Sequence, residues 1–194
     1  MYNNVEGLNC TNNNRTTQPK GFTNIMSVIC SVCSQEIKNY YYLDFYKNPY
    51  CTTHAGQIPK CFSCGRIISQ KTTRGAMLHK DGRAICNICR QTAVTHPQQA
   101  EQAANEVKKL LARITLDVTR HSIPDRLAAW DEMCDLNKCN YAERPIGLAV
   151  STYSGNHRFM KEIIILSGLS RLHFSSVYAH EMSHAWMWLN HYPE

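Results

Sequence analysis

Eight metal-competent side chains in this chain of 194 residues fall into four pairs. Cys30-x2-Cys33, Cys51-x2-His54, Cys61-x2-Cys64 and Cys86-x2-Cys89 follow one another with 17, six and 21 residues between the pairs. Each pair can place two donors on one tight turn about 3.5–4 Å apart. Tetrahedral zinc needs that separation, with bonds of about 2.3 Å to sulfur and about 2.0–2.1 Å to nitrogen. Four pairs complete two sites, one of three cysteines and a histidine and one of four cysteines. A closed set of four ligands leaves no open position for chemistry, so both read as structural zinc sites.

A second constellation has the opposite character. In His180-Glu181-Met182-Ser183-His184, the histidines are four residues apart, on one face of a helix, so both imidazoles can hold one zinc. Glu181 then projects beside them, placed to take a proton from metal-bound water whose pKa zinc lowers to about 7. A zinc with protein ligands on only part of its coordination sphere is a catalytic one.

The elements that must position these groups are readable in part. Residues 1–27, rich in Asn, Thr and Gln, have no apolar periodicity and read as a flexible tail. Residues 28–94 read as the double zinc module. From Pro97, in the first turn, an amphipathic helix is expected, with Ala100, Ala103, Ala104, Val107, Leu110, Leu111 and Ile114 as its packing face. Residues 118–145 fit a helix through Leu127, Trp130 and Met133, and equally a strand followed by a turn. Strands are expected at Ile146–Tyr153 and Met160–Leu166, and a helix from about Leu172 to Asn190. Val177, Ala179, Ala185, Trp186 and Leu189 are expected to bury that helix, and the EIIILSG segment before it to form the substrate-binding edge strand. No internal repeat is evident.

Sequential pairing of the metal ligands, with KCFSCGRII followed by DGRAICNIC, resembles the LIM double zinc module. The alternative is the cross-braced pairing of RING domains, which usually leaves two or three residues between the His and the next Cys, where this chain has six. With AHEMSHAW, residues 28–192 resemble the LIM peptidases of the plant DA-one type and their microbial relatives. The resemblance implies an α+β protein: a small treble-clef, zinc-ribbon-like LIM module, then a zincin-like peptidase domain over residues 95–194, made of helices and a small mixed sheet. It implies a zinc-dependent metallopeptidase of protein substrates, with His180 and His184 on the catalytic zinc and Glu181 as general base. In that family a further helix supplies a Glu as third zinc ligand. This chain stops at Glu194, ten residues after His184, so the expectation is a truncated domain with an incomplete site, for which His191 and Glu194 are the substitute ligands to test. The alternative is a non-catalytic zinc-binding adaptor acting through protein–protein interaction.

Partners follow from the same features. The LIM-like module implies protein partners. Plant members couple activity to ubiquitin through acidic helices ahead of the module, which the tail here lacks, so ubiquitin enters by resemblance alone. Lys and Arg exceed Asp and Glu by 21 to 15, a formal +6. Seven thiolate ligands remove seven charges and two zinc ions restore four, leaving +3, which gives no reason to expect nucleic acid. No apolar run approaches the roughly 18 residues of a membrane span. The first residues lack a signal peptide's basic start and apolar core, so a cytoplasmic location is expected. Ten cysteines in such a chain point to metal rather than disulfides. Cys10, Cys134 and Cys139 are left as spare thiols, and Tyr178 and Tyr192 as nearby candidates for oxyanion stabilisation.

Overall fold

Residues 27–137, 145–155 and 157–192 are described by the computed structural model; the expected tail, Cys10, Cys139 and Glu194 lie outside them. The chain divides into two compact units, one within residues 10–92 and one running from Ala93. Among the described residues no helix is long and apolar enough to cross a membrane.

The first unit is built twice on one local plan. Strands β1 (Val28–Ile29) and β2 (Glu36–Ile37) flank a tight turn, β3 (Tyr41–Leu43) and β4 (Pro49–Cys51) form a hairpin, and a 3-10 turn covers Thr52–His54. After a second tight turn and α1 (Gln70–Thr73), β5 (Ala76–Leu78) and β6 (Ala84–Cys86) form another hairpin, and α2 (Asn87–Arg90) follows. Turn, hairpin, helical turn thus repeat. The two halves share backbone geometry and ligand positions but little else, so the repeat is invisible in the residues between.

The two tight turns are nearly superimposable in their bonding. The Cys30 carbonyl accepts from the Ser34 amide at 2.9 Å, and the Cys61 carbonyl from the Gly65 amide at 2.8 Å. Ser34 and Gly65 both take left-handed backbone, with φ of 61° and 73°, which costs Gly65 nothing and Ser34 a little. Asp44 ties the halves together. Its Oδ1 accepts from the amides of Tyr46 and Asn48 across the β3–β4 turn, and its Oδ2 from the Ile67 amide at 3.0 Å. The apolar clusters here are small: Cys30, Tyr50 and Ile67 in one half, Ile85 among three cysteines in the other. Cores of this size stabilise little on their own, which is why such modules depend on metal.

In the second unit, α3 (Pro97–Arg113) opens with Pro97 at its first turn and a reciprocal cap, in which Gln99 Oε1 accepts from the His96 amide at 3.1 Å. Ala100, Ala103, Ala104, Val107 and Leu111 are buried. Leu110 and Ile114, expected on the same face, are 58% and 63% exposed, because the face narrows toward the helix end. The ambiguous stretch is both alternatives in turn: strand β8 (Asp125–Ala128), then helix α4 (Trp130–Asn137). Strand β9 (Gly147–Ser154) is the expected strand moved on by one residue, and β10 (His157–Leu166) begins three residues earlier than expected. A short strand, β11 (Leu169–Ser170), pairs antiparallel with β7 (Ala93–Val94) and leads into α5 (Arg171–Leu189), capped by the Ser170 side chain.

The sheet order is β8-β10-β9, with β10 parallel to β8 and antiparallel to β9. This corrects the edge-strand expectation. Ile163–Leu166 lies in the middle of the sheet and is buried throughout, as its continuous apolar run, rather than an alternating one, requires. The edge next to α5 is β9. Burial of α5 also differs from expectation: Phe174, Val177, Tyr178, Glu181, Met182 and Ala185 are buried, whereas Ala179, Trp186 and Leu189 are half-buried.

Tyr178 is fully buried, and its hydroxyl donates to Asp125 Oδ2 at 2.9 Å; Lys108 Nζ meets the same oxygen at 2.9 Å. Burial, together with the Asp125 charge, pushes the Tyr178 phenol well above its ordinary value. The hydroxyl therefore pins α5 to β8 and is committed to that bond, not to an oxyanion. Tyr178→Phe is expected to lower the unfolding free energy by about 2 kcal/mol, as loss of a buried hydrogen bond to a charged group does; urea denaturation checks it.

Candidate metal centres and active site

Local turns, not long-range packing, place the donors of the first unit. Cys30 and Cys33 sit on the first tight turn, Cys51 ends β4, and His54 lies on the 3-10 turn; their ligand atoms all fall within 4.8 Å of one another. Cys61 and Cys64 on the second turn, Cys86 at the end of β6 and Cys89 in α2 form the other group, to the same limit. The structure therefore gathers the eight residues in sequential, not cross-braced, sets.

Several features suit these groups to a metal ion. Cys64 Sγ and Cys86 Sγ are 3.8 Å apart, the separation of about 3.8 Å that two sulfurs take when tetrahedrally bound to one zinc at about 2.3 Å. His54 Nε2 is buried with no hydrogen-bond partner among the described residues, an orphaned ligand atom that a cation would satisfy. Backbone amides also point at the sulfurs. Cys30 Sγ accepts from the amides of Val32 and Cys51 at 3.4 and 3.5 Å, Cys61 Sγ from Cys86 at 3.3 Å, and Cys86 Sγ from Cys89 at 3.4 Å. Arg66 adds a donor to Cys64 Sγ at 3.5 Å and lies over the Tyr46 ring.

The same contacts draw two of the thiols, Cys61 and Cys30, toward the anionic form that binds metal. The hydrogen bond from Cys64, followed by the Cys86 amide, holds Cys61 down at about 4 against its burial. Burial opposes ionisation of Cys30 too, but the surrounding amides win and bring it to about 7. Burial and the nearby Cys61 charge push Cys89 up to about 12.

In the second unit, α5 places His180 and His184 one turn apart, with Nε2 atoms 3.0 Å from each other and ring planes at 84°. Two nitrogens on one tetrahedral zinc stand about 3.3 Å apart, so the pair is near bidentate geometry without rearrangement. Burial, then the facing His184, lowers the pKa of His180 and favours the neutral imidazole that ligates. Among the described residues no further His, Cys, Asp or Glu joins the pair within 4.8 Å. His191 follows the helix end in left-handed backbone, φ 59°, and does not reach it. Glu194 lies outside the described residues.

Glu181 is buried at 9% exposure. Burial raises its carboxyl to about 7, while a hydrogen bond from the backbone amide of Ala149 on β9 works the other way. This contact depends on Gly147. A Cβ there would stand 2.6 Å from Val177 Cγ1 and 2.7 Å from Glu181 Oε1, closer than atoms pack. The edge strand can lie this close to the helix only with glycine at 147. Gly147→Ala is expected to cost about 1–3 kcal/mol, the range for overpacking, and to move β9 off Glu181. Chemical denaturation reads the first effect and the Ala149 amide resonance the second.

Sequence reasoning named the helix residues but missed Ala149, Gly147 and the β9 edge. An N–H donor has no side-chain signature, and only the lone glycine opening a strand pattern hinted at close approach. Tyr192, the other oxyanion candidate, packs against Trp186 with centroids 5.1 Å apart.

Comparison with known proteins bears on the same region. A family model described as DA1-like, Protein DA1, matches residues 135–194. Protein DA1-related 1 of Arabidopsis thaliana is 27% identical over 182 residues, covering 77% of this chain and 32% of the relative. Protein DA1 of the same plant is 27% identical over 197 residues, covering 81% and 36%, and Protein DA1-related 7 is 26% identical over 197 residues, covering 84% and 35%. The chain thus spans about a third of the length of these curated relatives. No solved structure matches. The chain that carries this histidine pair and these two cysteine groups is similar to the plant DA1 family.

Proposed function

We propose that the chain carries a zinc-dependent metallopeptidase site that hydrolyses peptide bonds in protein substrates, next to two structural zinc sites in a LIM-like module. The observation that carries this reading is the arrangement on α5. Two imidazole nitrogens stand 3.0 Å apart on one helix face, with a buried carboxylate between them in sequence and a sheet edge alongside. His180 and His184 would hold the ion, with a further ligand from outside the described residues. When bound, zinc supplies a Lewis acid that polarises a scissile carbonyl and makes water a better nucleophile at neutral pH. Glu181 takes the proton from the attacking water and returns it to the leaving amine nitrogen. The Ala149 amide holds the carboxylate toward the helix face. Reduced thiols in both cysteine groups suit work inside the cell, with the LIM-like module presenting a surface to protein partners.

Metal analysis and a proteolysis assay on the full chain test this. Three zinc ions per chain, with chelator-sensitive cleavage of denatured casein, are expected. Two zinc ions, both retained when His180 and His184 are replaced by Ala, and no cleavage of casein would overturn it.

A further inference from the structure

The face of α5 that carries the histidine pair does not end at His184. Residues 177, 181, 184 and 188 recur at three- and four-residue steps along it, and β9 runs beside them. Gly147 abuts Val177 and Glu181, the Ala149 amide meets Glu181, and Tyr153 meets Trp188 edge-on, with centroids 4.9 Å apart and planes at 68°. Trp188 lies four residues past His184, about 6 Å further along the helix axis. A peptide drawn along the β9 edge past the histidine pair therefore reaches these two rings.

The indole is held in place. The Arg158 guanidinium lies 4.6 Å from its ring centroid, and Arg158 NH1 donates to the Trp188 carbonyl at 3.1 Å. That carbonyl, at the helix end, also accepts from the His191 amide at 3.3 Å, so a single side chain braces both the ring and the terminus. Tyr153 remains 59% exposed. A large ring left this exposed beside β9, next to a braced partner, presents apolar surface to an incoming side chain.

We propose that Tyr153 and Trp188, braced by Arg158, form a substrate subsite that takes an aromatic side chain of an extended peptide lying along β9. This rests on the peptidase reading of the same site. Ring-on-ring contacts contribute beyond the area they bury, whereas the Arg158 charge disfavours a Lys or Arg side chain there. The preference is for Phe or Tyr at one set offset from the cut bond.

Two measurements separate failure of this subsite from failure of the peptidase reading. The first is mass-spectrometric profiling of the cuts made in denatured casein. Phe and Tyr should be enriched at one offset; Tyr153→Ala should remove the enrichment and lower kcat/KM for a Phe-bearing peptide about tenfold relative to its all-Ala counterpart, and Tyr153→Phe should restore both. Cleavage with no aromatic preference, or with a preference that Tyr153→Ala leaves intact, overturns the subsite and leaves the peptidase standing. The second needs no catalysis. Zinc-loaded, 15N-labelled Glu181→Gln protein, which does not cut the peptides, is titrated with acetyl-Ala-Ala-Phe-Ala-Ala-amide or the all-Ala peptide. The Trp188 indole N–H, buried without an acceptor among the described residues and assigned by its loss in Trp188→Phe, is the reporter. A shift with the Phe peptide alone supports the subsite even if no proteolysis is found; no shift overturns it.

Discussion

Glu181→Gln is expected to abolish hydrolysis and, in the metal-free protein, to raise stability. Loss of a positioned general base removes roughly 10²–10⁴-fold in rate, while His180 and His184 keep their spacing, so zinc content stays unchanged. The stability gain follows from burial. The carboxyl sits at about 7 in the folded chain against an ordinary 4.5, so the folded state binds its proton more tightly than the unfolded one does. Its contribution is fully present below about pH 4.5, declines as pH rises, and is lost above about pH 7. One pKa unit corresponds to about 1.4 kcal/mol, so wild type gives up on the order of 3 kcal/mol across that window. Gln has the same shape, can still accept the Ala149 amide, and has nothing to ionise. Urea denaturation of chelated wild type and variant at pH 5 and pH 8 checks it: the curves should differ little at pH 5, with the variant clearly more stable at pH 8. An equal pH dependence in both would show that Glu181 is solvated, contrary to its burial.

Cys61→Ser is expected to have the largest effect on the first unit. Cys61 is 2% exposed, accepts from the Cys86 amide, and its thiol is held down at about 4 by the hydrogen bond from Cys64. Serine supplies a poor ligand at that position. The apolar cluster there is one isoleucine among cysteines, with Phe62 and Ile68 alongside, so little else holds it. Structural zinc sites bind with apparent energies of about 10–16 kcal/mol near neutral pH, far more than such a cluster supplies. The variant should carry one zinc fewer per chain, and amides of β5, β6 and α2 should exchange freely with solvent. Cys134→Ser should leave the metal count as it was, since Cys134 belongs to neither donor group. Unchanged metal content and intact protection in Cys61→Ser would mean that the second group is a packed thiol cluster and not a metal site.

The helix and strand periods of residues 97–113, 147–166 and 171–189 were legible because a covered face must repeat its apolar residues at the period of its own backbone. The stretch between them was not. Asp125–Ala128 and Trp130–Asn137 are too short for either period to show, and β8 exists because β10 pairs with it. Burial at the ends of elements was also misread, at Leu110 and Ile114 on one helix and at Trp186 and Leu189 on another. Local pattern cannot say where a neighbouring element stops.

Metal-donor chemistry is written in local spacing, because a tight turn or one turn of helix holds both members of each pair. The sequence by itself therefore determined which ten side chains could serve as metal ligands, and that Glu181 accompanies two of them. Tertiary structure alone decided which pairs combine into sets. It also decided that β9, not the Ile163–Leu166 run, is the edge beside α5, that Tyr178 is spent on Asp125, and that Tyr153 reaches Trp188. Those are contacts between residues tens of positions apart, set by sheet order and by an approach that the missing Cβ of Gly147 permits, and no local period encodes them.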